Sequence, residues 1–154
     1  MKLWIASVGS RSRSPFADLA RLYVERASGL LSTPGAQSGI EAPLFRSEDA
    51  LWQSLDKARG RTPPFLVLLD ERGRLFSSPQ FAAWLGVRRD EGRQLMVFAV
   101  GPANGWSDAA RARAQLLLSL GPMTLPHELA RVVMAEQIYR AVAILSGHPY
   151  HGGH

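Results

Sequence analysis

Side chains able to move a proton crowd the C-terminal end of this 154-residue sequence, where Gly147-His148-Pro149-Tyr150-His151 sets three rings within four positions. Such rings stack on a nucleobase, and histidine or tyrosine can take or give a proton; the alternative is an inert tail. His148, His151 and His154 also invite a zinc reading, but with no cysteine in the chain and a loosely held terminus they make a poor site, and no metal is expected. The lack of cysteine further removes a disulfide framework, a thiolate zinc centre and a cysteine nucleophile. In Gly101-Pro102-Ala103-Asn104-Gly105, two glycines four apart with a proline between them form either a cradle whose backbone approaches adenosine or phosphate, or an ordinary tight loop. In Gly121-Pro122-Met123-Thr124-Leu125-Pro126-His127, Pro126 suits the first turn of a helix and leaves Thr124 facing a molecule bound at its N-terminus. His127 then sits in that first turn, as a structural residue or a functional one. Arg131, one turn on, shares its face and can reach a phosphate. Glu136 and Arg140 stand four apart and are expected to pair. Neither GxxxxGK[ST] nor GxGxxG is present, which argues against nucleotide hydrolysis and a dinucleotide fold.

The elements that position these segments follow from hydrophobic patterning. Apolar runs at Leu3–Val8, Ile40–Phe45, Phe65–Leu69, Leu95–Val100 and Leu116–Leu120 read as strands and alternate with amphipathic helical stretches, which predicts an α/β domain with a mainly parallel sheet flanked by helices. Ser14 before Pro15, Ser78 before Pro79 and Ser107 before Asp108 mark helix starts. A helix is expected over Ser47–Arg59, and loops over Thr33–Gly39 and Gly60–Pro64. The final helix, Pro126–Ser146, is apolar nearly all round, so it needs cover on more than one side: a second subunit, or burial within one chain. Ligands of open α/β sheets bind beyond the carboxyl ends of the strands, which directs attention to Leu69-Asp70-Glu71-Arg72-Gly73, the 101–105 turn and the 121–127 segment.

The length suits one domain over residues 1–154. The net charge of +5 rests almost wholly on arginine, since Lys2 and Lys57 are the only lysines. Arginine binds phosphate through a planar fork, so the excess fits a polyanionic partner, or else a genome that replaces lysine throughout. No apolar run has the length of a signal peptide or membrane span, and a soluble, unprocessed, cytoplasmic protein is expected, with no membrane partner.

Thr124-Leu125-Pro126-His127, Arg131-Val132, Ala135-Glu136-Gln137, Tyr139-Arg140-Ala141 and His148-Pro149-Tyr150-His151 together closely resemble the C-terminal third of the ribosomal RNA large subunit methyltransferase H family, and Leu69–Gly73, Ser77-Ser78 and Leu3–Gly9 match it upstream. The resemblance implies a SPOUT fold: a mainly parallel α/β sheet whose C-terminal segment threads a trefoil knot. It also implies a homodimer that completes the active site, and methylation by S-adenosylmethionine of N3 of a pseudouridine in large-subunit ribosomal RNA on assembled ribosomes. The cofactor site it implies comprises Leu69, Gly101, Pro102, Gly105, Gly121, Pro122, Met123, Thr124, Leu125 and Pro126, with His127, Arg131, Tyr150 and His151 toward the RNA as catalytic residues. Pro102 stands where the family usually has a second glycine, and Gly152 where it usually has a basic residue. Those departures leave a noncatalytic ribosome-binding protein of the same fold, or a methyltransferase for another RNA nucleotide, as alternatives.

Overall fold

A computed structural model describes residues 1–9, 13–31 and 39–152. Along the chain lie β1 (Lys2–Val8), α1 (Pro15–Leu31), β2 (Gly39–Glu41), β3 (Leu44–Phe45), α2 (Glu48–Lys57), β4 (Phe65–Arg74), α3 (Ser78–Asp90), β5 (Leu95–Val100), α4 (Asp108–Arg113), β6 (Leu116–Leu118) and α5 (His127–Ser146). The strands run in the order β2-β1-β5-β4-β6, with β3 also on β1, and every pairing is parallel. Central β5 is buried at all six positions, as expected of a parallel strand covered on both faces. Alternate strand residues feed two cores. Leu3, Ile5, Phe65, Val67, Met96 and Phe98 pack with α1, α3 and α5, while Ala6, Val8, Leu66, Leu68, Val97 and Ala99 pack with α2 and α4.

The structure departs from the sequence reading at several boundaries. The expected strand over Ile40–Phe45 is two short ones, because Pro43 has no N–H to continue the ladder; its carbonyl still accepts from Ser7 N–H at 3.0 Å. The third expected strand continues past Leu69 to Arg74, with a bulge at which both Leu69 and Arg74 register with Leu118. Gly73 makes the bulge possible: a Cβ there would lie 2.5 Å from the Leu117 carbonyl. The fifth strand stops at Leu118, and the Ser119 N–H that follows donates to the Arg74 carbonyl at 2.9 Å. Helix α3 is capped by Ser77 rather than Ser78, in a capping box with Gln80, and the Ser78 hydroxyl instead bonds Gln137 at 2.7 Å. The Ser14 hydroxyl caps nothing and is buried without a partner among the described residues. Residues 33–38 of the expected loop lie outside the described residues, and Gly39 opens β2.

Helix α5 begins at His127, with Pro126 as its cap residue in extended geometry rather than inside the first turn, and ends at Gly147 in the left-handed region, φ 74°. Within it only His127 and Ser146 are exposed. Helices α1 and α3, with the edges of β1 and β5, cover the rest within one chain, so its apolar girth does not by itself require a second subunit.

Candidate functional site

The carboxyl ends of β4, β5 and β6 open into a cleft of about 1000 Å³. Of the residues expected to hold a cofactor, Leu69, Gly101, Pro102, Gly105, Gly121, Met123, Thr124, Leu125 and Pro126 all line it; Pro122 does not. His127 closes the inner end of the cleft at the N-terminus of α5.

Each loop is fixed by bonds that the sequence does not advertise. Gly105 has φ 84° and donates to the Pro102 carbonyl at 2.9 Å, closing a turn that uses the proline's acceptor and does not need its missing N–H. Gly101 is required by a neighbour: a Cβ would meet the Trp106 indole at 2.8 Å. Trp106, only 6% exposed, donates its Nε1–H to the Leu69 carbonyl at 3.0 Å and so ties the second loop to the first. Ser107 caps α4 and donates to Glu48, which pins the same loop to the start of α2. In the third loop the buried Ser119 hydroxyl accepts from Gly121 N–H and donates to Gly121 C=O, both at 3.1 Å, shaping a turn at φ 136°. Thr124 reaches Glu71 across the mouth at 3.4 Å.

Asp70 and Arg111 are lining residues whose pairing the sequence reading missed. The Asp70 side chain is 6% exposed, and its carboxylate accepts from Arg111 Nε at 2.7 Å and from Arg72 N–H at 2.9 Å. Burial pushes its pKa up, but the Arg111 bond, the Arg72 backbone bond and both positive charges outweigh this and hold it below the ordinary value. No sequence signal links positions 70 and 111, because only the packing of α4 beside β4 brings them together.

The expected catalytic residues do not all meet in this cleft. Arg131 lines a neighbouring cavity, and Tyr150 and His151 lie along α5. Glu136 anchors them: its Oε1 accepts from Tyr150 OH at 3.0 Å and from Arg140 Nε at 3.0 Å, while Arg140 Nη1 donates to His151 Nδ1 at 3.0 Å. The expected Glu136–Arg140 pair is thus present and does more than stabilise a helix face. Tyr150 packs against Tyr139 with ring centroids 4.4 Å apart and planes tilted by 44°, beneath the Arg140 guanidinium. Burial, then the bond to Glu136 and its charge, push the Tyr150 phenol up to about 12. Because Arg140 can only donate, His151 in this arrangement is neutral with its proton on Nε2. Glu136 is nine residues from His127, about 14 Å along the helix axis, so within one chain the tail lies well away from the cleft. Among the described residues no histidine or carboxylate group is arranged to hold a metal, and no helix is long and apolar enough to cross a membrane.

A parallel α/β sheet with three backbone-rich loops gathered at its carboxyl edge, closed by a C-terminal helix, is the architecture of a SPOUT methyltransferase, and the family model described as "Predicted SPOUT methyltransferase" matches residues 1–151. The chain belongs to this family and, within it, to the ribosomal RNA large subunit methyltransferase H group. It is 46% identical over 154 residues to the protein of that name from Koribacter versatilis, covering 100% of both chains. It is 42% identical to the one from Rhodospirillum centenum and 40% to the one from Allorhizobium ampelinum, covering 98% of this chain and 99% of each relative. A more distant likeness is the solved SpoU methyltransferase AviRb from Streptomyces viridochromogenes in complex with AdoMet, at 16% identity and TM-score 0.49, covering 89% of this chain and 57% of that one.

Proposed function

We propose that this chain, as a homodimer, transfers the methyl group of S-adenosylmethionine to N3 of a pseudouridine in large-subunit ribosomal RNA on assembled ribosomes. The observation that carries the reading is the convergence of the 69–72, 101–106 and 118–126 segments on one cleft. Its volume suits a ligand of that size. Leu118, Leu120 and Leu125 offer apolar wall for an adenine, and Asp70, Glu71 and Thr124 offer polar groups for the ribose and the amino acid part. The sulfonium supplies an already activated methyl, so the residues have to hold the two reactants in line and exclude water.

The target N3–H must also lose its proton, which passes to solvent water. A Tyr150 phenol with a pKa near 12 stays protonated and donates to Glu136, so it orients rather than abstracts. His151, its Nδ1 occupied by Arg140, presents Nε2–H as a donor. A donor set at a carbonyl beside N3 stabilises the imide anion, which is the assistance this tail can give. Because the tail lies far from the cleft of its own chain, it serves the cleft of a second copy. The exposed Phe16, Leu19 and Leu22 along α1 supply apolar surface for that association.

Single-turnover transfer of labelled methyl to ribosomes tests the assignment. Tyr150→Phe and His151→Ala are expected to slow transfer at least tenfold while leaving donor affinity within about twofold. Full rates in both variants would remove the tail from the mechanism, and transfer to free RNA but not to ribosomes would overturn the substrate form.

A further inference from the structure

Beside the methyl-donor cleft lies a second cavity of about 530 Å³, bounded by the end of β1, the segment before β3 and the first turns of α1 and α5. It shares Val100, Gly101 and His127 with the cleft, so its contents lie next to whatever the cleft holds. Two polar atoms on its wall are buried without a hydrogen-bond partner among the described residues: Ser7 Oγ and Arg131 Nε. Among the described residues no carboxylate comes within ion-pair distance of Arg131; Glu128 is the charge that acts on it, from the preceding turn of α5. Burial pulls the Arg131 pKa down and Glu128 only partly opposes this, the signature of a cation lacking its counterion. A fold gains nothing from a half-buried guanidinium whose Nε–H is left without an acceptor. Arg21 also lines the cavity, 65% exposed in its side chain and paired with Asp18 one turn before it. Val8, Ala17, Val24, Pro43 and Leu44 give the wall an apolar part, and His127 and the Glu128 carboxylate also line it.

We infer that this cavity is an RNA subsite that takes one phosphorylated nucleotide, its phosphate on the Arg131 guanidinium with the Ser7 hydroxyl as a second donor, and its sugar and base against the apolar wall. The guanidinium fork matches a phosphate, and the shared wall sets the anchored nucleotide beside the methyl donor. The inference rests on the reading of the chain as an RNA methyltransferase, and it concerns a site other than the donor cleft.

Binding of uridine 5′-monophosphate, uridine and the trinucleotide UpUpU is measured by NMR titration of the full chain, with and without saturating S-adenosylhomocysteine. Uridine 5′-monophosphate and UpUpU are expected to bind together with S-adenosylhomocysteine, and uridine at least tenfold more weakly. Arg131→Gln is expected to weaken both phosphorylated probes at least tenfold without changing S-adenosylhomocysteine affinity. Because it removes an unpaired cation, it is also expected to raise the melting temperature, by about 2–4 °C. Equal affinity for uridine and its monophosphate, unchanged binding by Arg131→Gln, or a lowered melting temperature in that variant would each overturn the inference. So would displacement of the monophosphate by S-adenosylhomocysteine, or binding of the monophosphate without UpUpU. Failure of the wild type to bind S-adenosylhomocysteine would sink the methyltransferase reading instead, and the nucleotide arm would still read out this cavity.

Discussion

Tyr150 is held by three different forces at once: a phenol-to-carboxylate hydrogen bond to Glu136, a tilted ring contact with Tyr139, and the Arg140 cation over its ring. Its raised pKa ties that arrangement to the protonated phenol. With the folded-state value near 12 and the unfolded value near 10, the contribution to stability is complete below pH ~10 and is lost as the pH climbs toward 12. Spectrophotometric titration is expected to show one of the three tyrosines ionising near pH 12 in the wild type, and that late step disappearing in Tyr150→Phe. If the third tyrosine instead ionises near 10, the Glu136 anchor is not formed in solution. Gly101 carries a different lesson. Its spacing to Gly105 reads as room for a ligand, yet the Cβ it lacks would strike Trp106, so the glycine serves the loop's packing and only through it the cleft.

Both strands that read as unbroken apolar runs, Phe65–Leu69 and Leu95–Val100, are present in the sheet, because such runs match burial on both faces. Boundaries set by tertiary contact were not legible. The β4 bulge depends on Gly73 meeting the Leu117 carbonyl, a neighbour 44 positions away. Ser77 wins the α3 cap from Ser78 because Gln80 stands three residues after it and completes the reciprocal pair. The site divides in the same way. The loop segments were readable from glycine and proline spacing, whereas Asp70–Arg111, Trp106–Leu69 and Ser119–Gly121 depend on strand order or on one hydroxyl's reach. The threading implied by SPOUT membership leaves no period in the sequence at all. Gly73→Ala is expected to destabilise the fold by about 1–3 kcal/mol and to loosen the cleft edge, checked by denaturant unfolding together with donor affinity. A neutral result would mean the bulge relaxes freely.

Across the chain, the proposed chemistry is split between two regions that one protomer does not join: the cleft at the carboxyl edge of the sheet and the tail anchored at Glu136, about 14 Å along α5 from its start. Two copies related by a twofold axis can place each tail at the other's cleft. Mixing a tail variant, Tyr150→Phe with His151→Ala, and a cleft variant, Ala103→Trp, each inactive alone, is therefore expected to restore about a quarter of wild-type transfer, since half of the dimers are mixed and each has one intact site. No recovery after subunit exchange would mean each chain works alone. Everything else depends on the cleft itself. Calorimetric titration of S-adenosylmethionine into the wild type and Ala103→Trp should give a micromolar-range dissociation constant of ~1–100 μM for the first and at least tenfold weaker binding for the second, because the indole fills the space between the 101–105 turn and the 121–126 segment. A wild type that binds no donor, or a tryptophan variant that binds it equally well, would show that the hollow at the ends of β4, β5 and β6 is not where the methyl group comes from.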